Sequence, residues 1–288
     1  MPSGILIIDK PAGWTSMDVC AKLRGILRER RVGHGGTLDP MATGVLPVFV
    51  GSATKAVEFA EKGDKEYVAG LRLGMVTNTQ DSTGEVLEER AVSVDRGALE
   101  AVLPRFTGPI QQVPPMFSAI KRDGKKLYEL ARKGREVHRD PRPVTIHTLE
   151  VLEQTGPDRF LLRVRCSKGT YVRTLCHDIG QALGCGGCMD ELRRTMAAGF
   201  TLEDAVTLEQ VQEQGEALLM PVDCFFAGCP VFLLTSPRME RMARNGSPVH
   251  VPGLKPGQYR VYSREKEFLC LSRYEDGVLR SIKNFFGG

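Results

Sequence analysis

The run Gly33-His34-Gly35-Gly36-Thr37-Leu38-Asp39-Pro40-Met41-Ala42-Thr43-Gly44-Val45-Leu46 constrains the fold more than any other stretch of this chain. Four glycines and one proline in fourteen positions free the backbone for positive φ at several points and fix it at one. A shaped loop is predicted there, not a helix. Its central carboxylate, Asp39, stands between Leu38 and a proline that biases Asp39 itself toward an extended conformation. A carboxylate on a stiff loop beside apolar residues suits nucleophilic or acid–base chemistry. Asp-Pro and Gly-Gly are also ordinary turn chemistry, and spacing alone leaves both readings open. Two other loop types are excluded. A phosphate-cradling loop would close on Gly-Lys-Ser/Thr and open a helix, whereas this run continues into Asp-Pro. A dinucleotide fingerprint would follow a strand, but Gly33-His34-Gly35 follows the charged run Arg28-Glu29-Arg30-Arg31.

A chain of 288 residues, 42% hydrophobic and 26% charged, has room for one large globular domain and a small one. No apolar run approaches the ~20 residues of a membrane span. Met1-Pro2-Ser3-Gly4 leads into a strand pattern instead of a signal peptide, so a cytoplasmic protein is expected. The eight cysteines lack small-scaffold spacing and read as reduced thiols. Cys185 and Cys188 have zinc-knuckle spacing, yet no second pair or histidine completes four ligands, and no metal is expected. A net charge of +4 permits a polyanionic partner without requiring one. Its distribution is more informative: Lys121 to Arg142 holds nine Lys/Arg against four Asp/Glu, a local net of +5. Such a segment fits either an RNA-gripping element or a solvated charged helix face.

Along the chain, Ile5 to Ile8 reads as a buried strand stopped by Asp9-Lys10-Pro11, and Ser16 as the cap of a helix from Met17 to Leu27. A strand is predicted over 45–50, a helix over 53–60 and a half-buried strand over 65–73, with Tyr67, Ala69, Leu71 and Leu73 on one face. Residues 78–84 form a polar loop, 95–103 a helix, and the proline-punctuated stretch 104–115 is expected to be irregular. A short helical stretch is expected near Leu127 to Ala131. Strands over 144–152 and 160–166 precede helices over 170–183 and 208–220. The irregular alternation favours a mixed sheet over a doubly wound parallel one. Beyond a boundary between Asp223 and Pro230, short apolar runs separated by Gly and Pro turns predict a small β-barrel.

The central loop resembles the catalytic motif of the bacterial tRNA pseudouridine-55 synthases, the TruB family, whose Gly-rich loop carries a Leu-Asp-Pro-x-Ala-Thr-Gly core. Other blocks match in order: Leu6 to Pro11 with Gly13 and Ser16, Lys65-Glu66-Tyr67, Cys166 to Thr174, and Leu192-Arg193-Arg194, together spanning roughly residues 4 to 225. The resemblance implies an α/β (α+β) fold: a mixed, largely antiparallel-sheet catalytic domain over residues 1–226, with a PUA-like RNA-binding β-barrel over 227–288. It implies cofactor-independent isomerisation of uridine 55 in the tRNA T-loop, without metal or obligate protein partner, by a monomer. Asp39 is then the nucleophile, Arg173 the cation paired with it, and Tyr67 the aromatic platform for the flipped base. Tyr171 and Leu192 would line the uridine pocket, His34 would contact substrate beside the flipped nucleotide, and Lys10 would support the site from the end of the first strand. One departure is that many relatives have Thr-Gly where this chain has Gly35-Gly36, implying a looser loop entrance. A tRNA-binding folding factor without catalysis is the rival reading. A glycoside-type hydrolase lacks an obvious second carboxylate.

Overall fold

The N-terminal apolar run forms strand β1 (Gly4–Lys10), buried on both faces. Leu6 and Ile8 pack with α1 (Ser16–Leu27), whereas Ile5 and Ile7 face a different, aromatic-rich core, so the run is continuously apolar instead of alternating. The computed structural model describes residues 2–122 and 124–286; Met1, Gly287, Gly288 and Asp123, which belongs to the basic segment, lie outside the described residues. Helix α1 is capped by Thr15 and not by Ser16. Thr15 Oγ1 accepts from Asp18 N at 3.0 Å while Asp18 Oδ2 accepts from Thr15 N at 2.9 Å, a reciprocal box. Ser16 has another task. Its Oγ accepts from Leu38 N at 2.8 Å and donates to Leu38 O at 3.2 Å, pinning the residue next to Asp39.

The main sheet is mixed, as the alternation of elements predicts, and largely antiparallel, as the resemblance implies. It gathers β2 (Val32–His34), β3 (Thr43–Val50), β4 (Lys65–Leu73), β7 (Gly108–Gln112), β10 (Arg142–Gln154), β11 (Arg159–Cys166), β12 (Gly187–Ala197) and β13 (Phe200–Thr201) with β1. Its order is β1-β3-β12-β4-β11-β10-β7, with β2 beside β3 and β13 beside β12; only β3 and β12 run parallel. Between β3 and β4 a 3₁₀ turn, Gly51–Ala56, leads into α2 (Val57–Lys62), with Ala53, Ala56 and Ala60 inward. A hairpin, β5 (Met75–Thr77) and β6 (Val86–Glu89), brackets the polar loop, and Asp95 caps α3 (Arg96–Val102). The basic segment forms a small hairpin, β8 (Lys121–Arg122) and β9 (Lys125–Lys126), then α4 (Leu127–Ala131). Helices α5 (Val172–Ala182) and α6 (Leu208–Gln214) are shorter than expected, and Tyr171 precedes α5 instead of belonging to it.

Several short strands, among them β2, β5, β6 and β13, are not expected from the sequence, and two longer ones depart from it for identifiable reasons. β7 lies where an irregular stretch was expected; its Pro109 is tolerated because β7 is an edge strand paired only with β10. β12 shows no clean period-two pattern because register shifts at Met189/Glu191 and Arg194/Met196 break the alternation.

The C-terminal part builds its own sheet from β14 (Val231–Leu233), β15 (Val249–His250), β16 (Gly257–Tyr262), β17 (Phe268–Glu275) and β18 (Val278–Asn284), with α7 (Pro237–Arg244) against it. The order β14-β16-β17-β18-β15 leaves this sheet open between β14 and β15. An aromatic seam joins it to the main sheet: Phe226 packs 5.4 Å from Phe59, 5.1 Å from Phe225 and 5.6 Å from Phe285.

The parallel β3–β12 pairing requires an exceptionally close approach. Gly44 has φ +99°, and a Cβ there would lie 2.2 Å from the Arg194 carbonyl oxygen. Gly44→Ala is therefore expected to lose at least the ~1–3 kcal/mol of a strained backbone position. Chemical denaturation measures it; a loss under about 0.5 kcal/mol would refute the steric argument.

Candidate active site

The glycine-rich stretch becomes the loop between β2 and β3, and despite its composition it is held from all sides. Arg194, on β12 and 1% exposed, donates from Nε to Val45 O at 2.7 Å, from Nη2 to Gly36 O at 3.1 Å and from Nη1 to Thr37 O at 3.4 Å. One planar guanidinium thus ties the entry of the loop to its exit, a geometry an ammonium cannot reproduce. Behind the loop, Lys10 Nζ donates to Pro11 O, Trp14 O and Pro40 O at 2.9, 2.7 and 3.3 Å, and Gly13 N donates to Pro40 O at 2.8 Å. Lys10 is fully buried, and burial pulls its ammonium down to about 8. Nor is the Gly35-Gly36 entrance loose. Gly35 N donates to Pro47 O at 2.8 Å, and a Cβ on Gly35 would meet Ala60 Cβ at 2.6 Å.

Asp39, half-buried, sits at the tip of this frame with Arg173, from the first turn of α5, facing it. Arg173 Nε lies 3.0 Å from Asp39 Oδ2. The rest of the guanidinium is occupied: Nη1 donates to Thr79 O at 3.0 Å and lies 3.6 Å from Asp81 Oδ2, while Nη2 donates to Phe117 O at 2.9 Å. Arg173 therefore has no fork left for a phosphate. The buried Asp81 accepts at Oδ1 from the hydroxyls of Thr79 and Thr83, at 2.8 and 2.6 Å, and from Thr83 N at 3.0 Å. Sequence reasoning missed Asp81 because Asn78 to Gly84 has the composition of a surface turn. Arg194 was given no role either; its only signal was its place in the Leu192-Arg193-Arg194 block, where the surrounding Asp190, Glu191 and Arg193 make it look like one more surface charge.

These groups open on a cleft of about 910 Å³. Five of the residues singled out from sequence line it: Asp39, Tyr67, Tyr171, Arg173 and Leu192. Lys65, Thr79, Asp81, Phe117, Tyr128 and Arg132 line it too, so the basic segment contributes its wall through α4 and the residue that follows. Tyr67 is 8% exposed on β4, and burial raises its phenol above the usual range; burial does the same to Tyr171. Lys65 Nζ donates to Glu61 O and Gly63 O at 2.8 and 2.6 Å, and burial lowers its pKa. His34 and Lys10 do not line the cleft. His34 is on β2 at the root of the loop, its pKa lowered by burial and then by Arg194, and its buried Nδ1 has no hydrogen-bond partner among the described residues. Among the described residues no three His, Cys, Asp or Glu side chains could share a metal, and Cys185 and Cys188 are core thiols.

The arrangement presents Asp39, aimed by a cation that it shares with Asp81, in a cleft lined by aromatic, apolar and polar groups. It suits nucleophilic or electrostatic work on a planar polar substrate shielded from water. Removing the cation would leave the buried Asp81 without an ion-pair partner among the described residues. Arg173→Met is expected to destabilise the fold by about 3 kcal/mol, as for breaking a buried pair. A thermal unfolding midpoint equal to that of the unmodified protein would contradict this.

Residues 24–172 match the model of the TruB family pseudouridylate synthase N-terminal domain, and residues 173–225 that of the tRNA pseudouridylate synthase B C-terminal domain. The tRNA pseudouridine synthase B of Cupriavidus metallidurans is 46% identical over 289 residues, 96% of this chain and 92% of that protein. The protein of the same name from Azoarcus sp. is 46% identical over 281 residues, 96% of this chain and 93% of its own. Among solved structures, an H/ACA RNP bound to a substrate RNA containing 2'-deoxyuridine matches with TM-score 0.74 and 26% identity, covering 99% of this chain and 85% of that one. A Cbf5-Nop10-Gar1 complex matches with TM-score 0.74 and 27% identity over 98% of this chain and 85% of that one. With both family models matched end to end over residues 24–225 and close to half of all positions shared with those relatives, the chain belongs to the TruB family of pseudouridylate synthases.

Proposed function

We propose that this enzyme isomerises uridine 55 in the T-loop of tRNA to pseudouridine. The observation that carries the reading is the Asp39–Arg173 pair, 3.0 Å apart at the floor of a cleft that also holds Tyr67. Pure RNA binding would gain nothing from a carboxylate facing a polyanion. The reaction breaks the glycosidic C1′–N1 bond and makes a C1′–C5 bond in its place, so it is redox-neutral and needs no cofactor. The target uridine must first leave the stacked loop, at a cost of a few kcal/mol. Inside the cleft, Asp39 acts on the reacting nucleotide, Arg173 holds its carboxylate in place, and the ring of Tyr67 holds the uracil while it turns. Tyr171 and Leu192 complete the walls. Lys10 and His34 act on the loop from behind and from its root, which makes them supports of Asp39 in this conformation.

The energy for extrusion comes from RNA contacts outside the cleft. The basic segment is the main source in this reading, with Lys126 5.4 Å and Arg132 5.3 Å from the ring of Tyr128, which lines the cleft. We divide the chain into a catalytic domain, residues 1–226, and a PUA-like RNA-binding domain, residues 227–288, acting together as a cytoplasmic monomer. The second family match stops at residue 225 and the separate sheet starts at Val231, which supports that division.

Two measurements test the reading. Asp39→Asn keeps size and most hydrogen bonding but removes the nucleophilic oxygen and the charge. Purified Asp39→Asn is expected to form almost no pseudouridine in a single-turnover assay on unmodified tRNA transcript, with affinity within about tenfold of wild type, or ~1.4 kcal/mol. Wild-type turnover by the variant would remove Asp39 from the mechanism. Neutralising Lys125, Lys126, Arg132 and Lys133 should weaken tRNA binding and flatten its salt dependence by about 0.9 in the log–log slope per lost phosphate contact. An unchanged slope would reduce the segment to a solvated surface.

A further inference from the structure

The last residue of β7, Gln112, is 2% exposed and makes two hydrogen bonds to one other residue. Its Oε1 accepts from Tyr171 N at 2.8 Å, and its Nε2 donates to Tyr171 O at 3.0 Å. This is the exchange that two backbones make across a sheet, performed here by a side-chain carboxamide. The same Tyr171 carbonyl accepts the opening hydrogen bond of α5, from Leu175 N at 3.1 Å. Tyr171 supplies no side-chain cap to α5, so Gln112 anchors the residue from which that helix starts. Arg173 follows two residues on, and its Nη2 donates to Phe117 O at 2.9 Å. The strip 112–117, which leads into the basic segment, is thus fastened to the start of α5 at both ends.

We propose that Gln112 is a positioning residue of the reaction: its carboxamide sets where Tyr171 and the first turn of α5 lie, and so where Arg173 meets Asp39. The inference rests on the reading that this cleft makes pseudouridine. No other residue type does the same work. Methionine has a similar length but neither a donor nor a matching acceptor, asparagine is one methylene short, and glutamate offers Tyr171 N an acceptor but presents a carboxylate to Tyr171 O. Gln112 is not itself part of the cleft lining, so its influence runs through Tyr171, the lining residue whose backbone it holds.

The test is single-turnover pseudouridine formation on unmodified tRNA transcript with enzyme in excess, where an inactive fraction of enzyme does not alter the saturated rate constant. Gln112→Met is expected to lower that constant by roughly 10- to 100-fold, the scale of a misplacement of about 1 Å, with the half-saturating enzyme concentration within about threefold of wild type. Gln112→Glu, which keeps one of the two bonds, should fall between wild type and Gln112→Met. Gln111→Met, on the exposed neighbour, should match wild type. A wild-type rate constant for Gln112→Met, or a loss confined to half-saturation, overturns the proposal. If Gln112→Met shows no cooperative unfolding transition, Gln112→Glu decides: a slowed rate constant sustains the proposal and a wild-type one overturns it. Absence of pseudouridine formation by the wild-type protein would instead refute the functional reading on which the proposal stands.

Discussion

One buried guanidinium makes the rest of the site possible. A loop with glycine at 33, 35, 36 and 44 would have wide conformational freedom if left to itself, and ordering it costs backbone entropy of about 1–2 kcal/mol per residue. Arg194 offsets that cost by satisfying three main-chain carbonyls on both limbs of the loop. Charge-assisted bonds of this kind contribute roughly twice as much as neutral ones. Its position depends in turn on the close β3–β12 seam at Gly44, so the glycine that permits the approach and the arginine that exploits it are partners. Ser16 and Lys10 complete the frame from the N-terminal side.

Much of this was legible in the chain itself. Strands with regular alternation, such as Lys65 to Leu73, have the residue bounds the sequence predicts, because burial on one face imposes period two. The family blocks pointed to Asp39, Tyr67, Tyr171, Arg173 and Leu192, and all five line one cleft. The misses have physical causes. β12 was invisible because two register shifts break its alternation, β7 because edge strands tolerate proline, and the Thr15 cap because Ser16 beside it has the same chemistry. Asp81 and Arg194 were obscured for a related reason: a buried ion looks in sequence like any surface charge, and only its hydrogen-bond partners distinguish it.

Fixed and adaptable parts of the molecule are divided between different elements. Asp39, Arg173 and Tyr67 sit on a loop, a helix and a strand that belong to or pack on the main sheet, tied together by internal hydrogen bonds. The positive charge sits mainly on a segment whose own secondary structure is short and mostly exposed. Chemistry gains from preorganisation, whereas gripping an irregular polyanion gains from side chains free to follow it.

The aromatic seam has a consequence for how the chain comes apart. Phe226 belongs to the same cluster as Ile5, Ile7 and Phe49 of the main sheet, Leu271 of the C-terminal sheet and Phe285 just beyond its last strand. Exposing that cluster from either side would put several aromatic faces into water at once, each a large share of the apolar area that holds a module closed. Two sheets with separate strand ladders therefore share one aromatic cluster, and parting them means exposing it. A chain cut just after the main sheet would carry a sticky aromatic patch where its neighbour had been, and self-association would follow before any loss of the loop that holds Asp39.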